Sequence, residues 1–265
     1  MLKLIGIPYD GNSSFLKGPA LAPARIRLME TDGAANASCE MGSDIAKGVN
    51  YEDLGDLALA GKSPEQAYRL IKASIRQALQ DGSRLISLGG DHSIAFPVIE
   101  AFAERYPGLN VLQLDAHADL YDNFDDNPYS HASPFARLME RGLLKSLTQV
   151  GIRTLTQHQR AQAQRFGVRI IEMKDFGRLD FVRSLQAPLY VSLDLDVLDP
   201  AFAPGLSHHE PGGMTTRELI RIIQAIPAPL VGADIVEYNP TRDVHDMTAM
   251  VAYKLFKELA HQMLP

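Results

Sequence analysis

Cysteine, tryptophan and long apolar runs are scarce or missing in this sequence of 265 residues. It has 1 cysteine, Cys39, so no internal disulfide can form and the fold does not depend on an oxidising compartment. No run reaches the roughly 18 consecutive apolar residues that a membrane-spanning helix needs. Lysine and arginine are not clustered and the formal net charge is −6, so we expect neither a nucleic-acid nor a membrane partner. A cationic small molecule fits this charge better.

The overall composition is that of a globular chain. Hydrophobic residues make up 46% and charged residues 22%, which excludes disorder and a coiled coil and supplies apolar surface for a large core. A length of 265 residues is ordinary for one large α/β domain, so we expect a single domain over residues 1–265. The first predicted strand begins almost at Met1, which leaves no room for a targeting peptide, and we expect a cytoplasmic protein.

Metal-binding residue types emerge from the segment Leu114–Leu120, which reads Leu-Asp-Ala-His-Ala-Asp-Leu. The apolar run before it predicts a buried strand that delivers Asp115, His117 and Asp119 at alternating positions, so all three emerge at one strand end. Charged groups packed this closely are costly to bury unless a cation joins them. Taken alone, the triplet is equally compatible with a solvated strand end.

Two other segments repeat the arrangement of an apolar strand followed by Asp or His. The first ends in Gly89–Ser93 (Gly-Gly-Asp-His-Ser), and the second, Val191–Asp196, delivers two alternating carboxylates. In a parallel α/β sheet the carboxyl ends of the strands form the edge where ligands bind. The three segments together therefore predict a binuclear metal site on that edge. Its predicted ligands are His92, Asp115, His117, Asp119, Asp194 and Asp196.

Strands and helices alternate along most of the chain. Apolar runs such as Leu2–Ile7 and Leu230–Val236 predict strands, and the segments between strands carry helical spacing, as in the helix that Ser63 caps. This alternation predicts an α/β fold of three layers, α/β/α, with a mostly parallel central sheet. Residues 30–48 show no clear period and are predicted to form a long surface loop.

Loops on the predicted site edge supply further candidates. His131 follows the metal triplet in a polar loop, so it is either a proton carrier or a solvated loop histidine. The adjacent His208 and His209 are predicted not to bind metal, because consecutive loop residues rarely face one ion. In the loop after the first strand, Asn12, Ser13 and Ser14 are either substrate contacts or ordinary turn residues. In the loop that carries His131, further candidate substrate contacts are Asn127 and Ser130.

Three of these segments resemble the signatures of the ureohydrolases, the arginase and agmatinase family: Gly89–Ser93, Asp115–Asp119 and Ser192–Pro200. The resemblance extends over nearly the whole chain, and it is nearest to plant-type arginases in residues 12–15, 129–133, 202–213 and 236–240. It implies an arginase-like fold, two Mn²⁺ ions and hydrolysis of a guanidino group to urea and an amine. It also implies a homo-oligomer, either a trimer or a hexamer.

The resemblance further implies a role for each site residue. It implies that His92, Asp115, Asp119 and Asp194 surround the ions, that one carboxylate bridges them, and that His117 and Asp196 complete their shells. It also implies that His131 is the proton shuttle and that Glu237 pairs with the substrate guanidinium. Plant-type arginases carry an organellar targeting extension, which we expect this chain to lack, so the resemblance does not extend to their location.

The implied reaction suits paired metal ions. A guanidinium carbon is a poor electrophile, because its charge is delocalised over three nitrogens, and it needs a strong nucleophile. Two cations about 3.5–4 Å apart share a water and lower its pKa from about 15.7 towards neutrality. Oxygen-rich ligands with a minority of imidazoles favour manganese over zinc.

We expect a small cationic guanidino substrate, with L-arginine ahead of agmatine. Polar loop donors favour the α-carboxylate of arginine, whereas the acidic rim residues Asp122, Asp125 and Asp126 favour a bare cation. Two competing classes are a noncatalytic descendant of the fold and another metal-dependent hydrolase, such as a deacetylase. The complete set of six ligands, together with His131 and Glu237, argues against the first class. The Asp-x-His-x-Asp triplet and Glu237 fit the second class less well.

Overall fold

Eight parallel strands form one central sheet. The computed structural model describes residues 1–33 and 35–264. The strands are β1 (Leu2–Ile7), β2 (Tyr51–Asp56), β3 (Arg84–Gly89), β4 (Asn110–Leu114), β5 (Ser146–Ile152), β6 (Arg169–Glu172), β7 (Leu189–Asp194) and β8 (Leu230–Val236). Their order across the sheet is β2-β1-β3-β8-β7-β4-β5-β6. Most of the strand residues are buried on both faces, which explains the continuous apolar runs of the sequence.

Helices cover both faces of the sheet. They are α1 (Ala22–Thr31), α2 (Pro64–Ala78), α3 (Ala95–Arg105), α4 (Pro134–Glu140), α5 (Gln157–Phe166), α6 (Thr216–Ala225) and α7 (Met247–His261). Helices α1, α6 and α7 contribute to one apolar cluster, and α2 to α5 contribute to a second cluster on the opposite face. The predicted three-layer α/β/α fold with a parallel sheet is confirmed.

Capping boxes define where three helices begin. Ser63 accepts a hydrogen bond from the backbone N–H of Gln66, and the Gln66 side chain accepts one from the backbone of Ser63. The same reciprocal pair starts α5 at Thr156 and α6 at Thr215. Each box satisfies N–H groups that have no partner inside the helix, which fixes where the chain leaves the preceding loop.

The edge strand β2 differs from the sequence prediction, which assigned no strand after the loop 30–48. In β2 only Tyr51 is fully buried, because the strand pairs with β1 on one side alone. Two of its acidic residues are held by Arg27 of α1, which donates to Asp53 at 3.0 Å and to Asp56. The strand therefore depends on tertiary pairing that its own sequence does not signal.

Among the described residues, no helix combines the length and the apolar character that a membrane crossing requires.

Candidate metal and active site

The carboxyl ends of the four central strands β3, β8, β7 and β4 meet at one edge of the sheet. His92 follows β3, Glu237 follows β8, Asp194 ends β7, and Asp115 follows β4. The register pairs Leu114 with Leu193 and Asp194 with Val236, so these strands stop at the same height. The structure thus brings together the predicted residues, which lie far apart in the sequence.

The first ligand cluster surrounds His92. Its Nδ1 atom lies 3.1 Å from Asp115 Oδ2, 3.0 Å from Asp119 Oδ2 and 3.2 Å from Asp194 Oδ2. All four side chains are buried, yet Nδ1 has no partner in hydrogen-bond geometry. A buried polar atom without a hydrogen bond calls for another partner, and a cation between the imidazole and the carboxylates supplies one.

The second cluster shares a carboxylate with the first. His117 Nδ1 lies 2.8 Å from Asp196 Oδ2 and 3.7 Å from Asp115 Oδ1. The two oxygens of Asp115 are thus divided, with Oδ2 towards His92 and Oδ1 towards His117. This is the arrangement expected of a carboxylate that bridges two ions.

The donor set fits small divalent cations. Adjacent ligand atoms in an octahedral shell at about 2.1 Å from the ion lie about 3.0 Å apart, close to the 3.0–3.2 Å found around His92. The donors are carboxylate oxygens with one imidazole in each cluster and no thiolate. Such a mixture suits manganese or magnesium better than zinc.

The pKa shifts of the clustered side chains are those of a site that favours cations. Burial, together with the charges of Asp196 and Asp119, raises the pKa of Asp115 to about 7. Burial and neighbouring carboxylates likewise raise the pKa of Asp194 well above its usual range. Burial opposes a charged imidazole at His92, but its close carboxylate neighbours together outweigh burial and raise its pKa well above 6.5. Without cations, the protein must therefore keep protons in this cluster.

A chain of buried hydrogen bonds orients His92 from behind. Its Nε2 atom lies 3.0 Å from Ser192 Oγ, which donates to Asp234 Oδ1 at 2.8 Å, and Tyr190 donates to the other oxygen of Asp234 at 2.9 Å. These contacts direct Nδ1 of His92 at the carboxylates. Supporting shells of this kind fix the tautomer and the orientation of a metal-binding imidazole.

His131 and Glu237 form a pair beside the clusters. His131 Nδ1 lies 2.8 Å from Glu237 Oε1, and Ser14 approaches Nε2 with Oγ at 2.8 Å and the backbone N at 3.2 Å. Glu237 Oε1 also accepts the backbone N–H of His92 at 2.8 Å. Burial lowers the pKa of His131, but the charge and hydrogen bond of Glu237, together with the charges of Asp91 and Asp119, outweigh burial and raise it to about 9. The pair thus joins the predicted proton carrier to the predicted guanidinium partner.

Two site residues hold a left-handed backbone conformation. The φ angle is 50° at Asp119 and 64° at Glu237. Side-chain-bearing residues rarely adopt such angles, and they persist where surrounding contacts enforce them. Here the strained backbone turns both carboxylates into the site.

A cavity of about 290 Å³ lies above these groups. The clusters and the pair of His131 and Glu237 contribute to its floor, and Ser14 and His208 contribute to its wall. Further wall residues are Tyr121, Phe124, Ala132, Thr154, Thr156 and Gln159. Burial lowers the pKa of His208, and nearby His131 lowers it further. Its neighbour His209 lies outside the cavity, with Nε2 2.9 Å from Pro204 O.

The other predicted substrate contacts are engaged within the protein. Asn12 donates to Ser93 Oγ at 3.1 Å, and Asn127 donates to Asn12 Oδ1 at 3.2 Å. Ser13 donates to Asp91 Oδ2 at 3.2 Å, while Ser130 Oγ accepts the N–H of Ala132. Of the predicted contacts, only Ser14 and Glu237 line the cavity, so substrate binding by Asn12, Ser13, Asn127 and Ser130 stays a prediction.

Sequence reasoning missed several residues of this site. Asp91 is fully buried and accepts hydrogen bonds from the Asn12 backbone and from Ser93, which ties the loop after β1 to β3. Asp91 lies in Gly89–Ser93, the segment that also carries His92, and this position could have identified it as a site residue. Thr154 and Thr156 follow the end of β5, but threonine carries no metal or catalytic signature, and His208 was considered only as a metal ligand.

The site and fold match a known family. A family model described as the arginase family matches residues 2–261. Arginase 1, mitochondrial, from Arabidopsis thaliana is 44% identical over 271 residues, which covers 97% of this chain and 79% of the plant protein. An arginase structure from Medicago truncatula has a TM-score of 0.94 at 40% identity and covers 100% of this chain and 87% of the plant chain. The chain belongs to the arginase family, whose members are metal-dependent hydrolases acting on guanidino C–N bonds.

Relatives with another named substrate are more distant. An agmatinase from Bacillus anthracis is 31% identical over 261 residues, which covers 97% of this chain and 89% of the relative. The predicted resemblance to arginases of the plant type is confirmed by the plant proteins described above.

The expectation of a cytoplasmic location is wrong. The 44% identical relative is named mitochondrial, and a second Arabidopsis relative, 42% identical over 274 residues, is named chloroplastic/mitochondrial. These names place those relatives in organelles and give no support to a cytoplasmic location. The expectation was drawn from where the sequence begins. A targeting signal is recognised by a receptor and is not part of the folded domain, so the domain itself does not indicate the location.

Proposed function

We propose that this protein is a manganese-dependent arginase that binds two ions and hydrolyses L-arginine to L-ornithine and urea. The single observation that carries the proposal is Asp115, a buried carboxylate shared by two ligand clusters on the cavity floor. One ion would be held by His92, Asp115, Asp119 and Asp194. The other would be held by His117, Asp196 and the second oxygen of Asp115.

The chain's own residues account for the remaining chemistry. When bound, two divalent ions lower the pKa of water and so supply a nucleophile near neutral pH. Glu237 pairs with the positively charged guanidinium by a charge-assisted hydrogen bond and orients its carbon over the clusters. His131, whose Nδ1 is held by Glu237, moves a proton at Nε2 to the leaving amine. Ser14 steers Nε2 of that ring.

The substrate test is a comparison of kcat/KM for L-arginine and agmatine, measured as urea release by the Mn²⁺-loaded protein. We expect L-arginine to be preferred, since the relatives named arginase are the more similar ones. The acidic rim residues Asp122, Asp125 and Asp126 favour agmatine, but exposed charges are screened and typically contribute less than about 1 kcal/mol each. A preference for agmatine above about tenfold, some 1.4 kcal/mol, contradicts the assignment to L-arginine.

The same assay separates an enzyme from a noncatalytic descendant. Metal-free protein should release no urea, and added Mn²⁺ should restore activity. Full turnover after exhaustive chelation contradicts a metal-dependent reaction. Metal analysis after gel filtration tests the count of two ions, and a value of one ion per chain contradicts the bridging role of Asp115.

We also propose that the chain forms a homo-oligomer, either a trimer or a hexamer. The support for this is the family to which the chain belongs. Sedimentation-velocity measurements across a hundredfold range of protein concentration test it, and a monomer throughout that range contradicts it.

A further inference from the structure

A histidine outside both ligand clusters lines the cavity. The ring of His208 lies 5.9 Å from the ring of His117 and 5.5 Å from that of His131, measured between ring centroids. On its other side it packs against Phe15 at 5.4 Å, and Phe15 is 63% exposed. His208 therefore spans the wall from the floor, where the metal-binding residues lie, to the mouth.

The loop that carries His208 is held in place. Ser207 Oγ accepts a hydrogen bond from Asn239 Nδ2 at 2.9 Å, and the Gly205 N–H donates to Thr248 Oγ1 at 2.7 Å. Leu206 forms a β-bridge with Tyr238, the residue after Glu237. A side chain whose backbone is already fixed loses little conformational entropy when it binds a ligand.

The ring nitrogens of His208 are free for a ligand. In the described part of the chain, no residue forms a hydrogen bond with the His208 side chain, whereas both nitrogens of His131 are engaged by Glu237 and Ser14. An imidazole keeps at least one N–H donor in either protonation state. The described residues that line the cavity include no lysine or arginine, so an entering carboxylate must be met by uncharged groups or by this ring.

We propose that His208 is a specificity-determining residue whose ring N–H donates to a carboxylate on the tail of the substrate. The guanidinium lies at the floor beside Glu237 and His131, and the tail passes His208 on its way to the mouth. The residue thereby selects amino-acid guanidines over alkyl guanidines that lack a carboxylate. This inference rests on the proposed function of the same site.

The test compares kcat/KM for L-arginine and agmatine in the wild type and in variants of His208. His208→Phe keeps a ring against Phe15 and removes the donor, and His208→Gln returns an N–H. In His208→Phe we expect kcat/KM for L-arginine to fall about ten- to a hundredfold and that for agmatine to change by less than about threefold. His208→Gln should recover part of the loss. His209→Ala, outside the cavity, is the matched control and should leave both values unchanged.

Inhibition by products gives a second readout that does not depend on turnover. His208→Phe should weaken inhibition by L-ornithine and leave that by putrescine unchanged. Equal losses for both substrates would place His208 at the guanidinium end and overturn the proposal, as would an unchanged ratio. If melting curves show that His208→Phe does not fold, His208→Ala is the second donor-free variant. A wild type inactive on both substrates refutes the proposed function, whereas an active wild type with an unaltered ratio refutes only the role of His208.

Discussion

Loading the metal-free protein with Mn²⁺ is expected to release protons. Without cations, four carboxylates and two imidazoles crowd together at the site, from Asp115, Asp119, Asp194, Asp196, His92 and His117. Burial and charged neighbours raise the pKa of Asp115 to about 7 and that of Asp194 well above its usual range. Burial opposes charge on His92 and His117, but their carboxylate neighbours outweigh burial and raise the pKa of both rings well above 6.5.

The number of released protons follows from the charges of the cluster. The two imidazolium protons set the lower bound, because an imidazole must be neutral at the nitrogen that binds metal. Two divalent ions balance the charge of four carboxylates, so the loaded cluster needs no proton. The upper bound is therefore the four protons that would balance the same four carboxylates in the metal-free protein. We therefore expect about two to four protons per chain at pH 7, and the product of the two binding constants should rise by about that many powers of ten per pH unit.

Isothermal titration of Mn²⁺ into the metal-free protein measures this number. The observed heat in two buffers of different ionisation enthalpy differs in proportion to the protons that the buffer takes up. Asp115→Asn removes the shared carboxylate, and it should release fewer protons while it binds fewer ions. A heat of binding that is the same in both buffers, corresponding to less than about half a proton per chain, refutes the reasoning that carboxylates and imidazoles share protons here.

Three further predictions follow from the same geometry. His131→Ala should lower kcat roughly 10²–10⁴-fold with bound metal unchanged, because a positioned proton carrier contributes on that order. An unchanged kcat would show that His131 does not carry the proton. Asp119→Ala and Asp196→Ala should each lose metal as well as rate, and wild-type metal content in both removes them from the site. The contribution of Asp115 to the stability of the metal-free protein should fall as pH rises from 3.8 to about 7, because the folded state raises the pKa of Asp115 across that interval and holds a proton that the unfolded chain has released. Melting temperatures of the wild type and of Asp115→Asn in chelator test this, and a difference between the two proteins that does not change with pH in that range contradicts it.

The sequence predicted the layers and the candidate ligands because both depend on local signals. Apolar runs mark the central strands, and Asp or His after each run marks a single edge once the strands are parallel. Asp115, His92 and Asp196 lie on that edge, as expected. The helix start at Ser63 was equally local, since Ser63 and Gln66, three positions later, specify a capping box.

The remaining features depend on contacts between distant segments. Strand β2 is an edge strand with two acidic residues paired by Arg27, and no apolar alternation announces it. The contact of His131 with Ser14 joins residues 117 positions apart, and that with Glu237 joins residues 106 positions apart. His208 resembled its neighbour His209 in the sequence, and only the fold turns one ring into the cavity and the other away from it.

The division of the site among β3, β8, β7 and β4 affects when it can form during folding. These strands are adjacent in the sheet, yet the contact between His92 and Glu237 spans 145 positions and that between His92 and Ser192 spans 100. Contacts of such long range are completed late, after most of the chain has been synthesised and has collapsed. Metal ions that need all of these contacts would not nucleate folding, but on binding the finished fold they would raise the barrier to its unfolding. Bound ions would therefore affect how long the folded protein lasts more than how fast it forms.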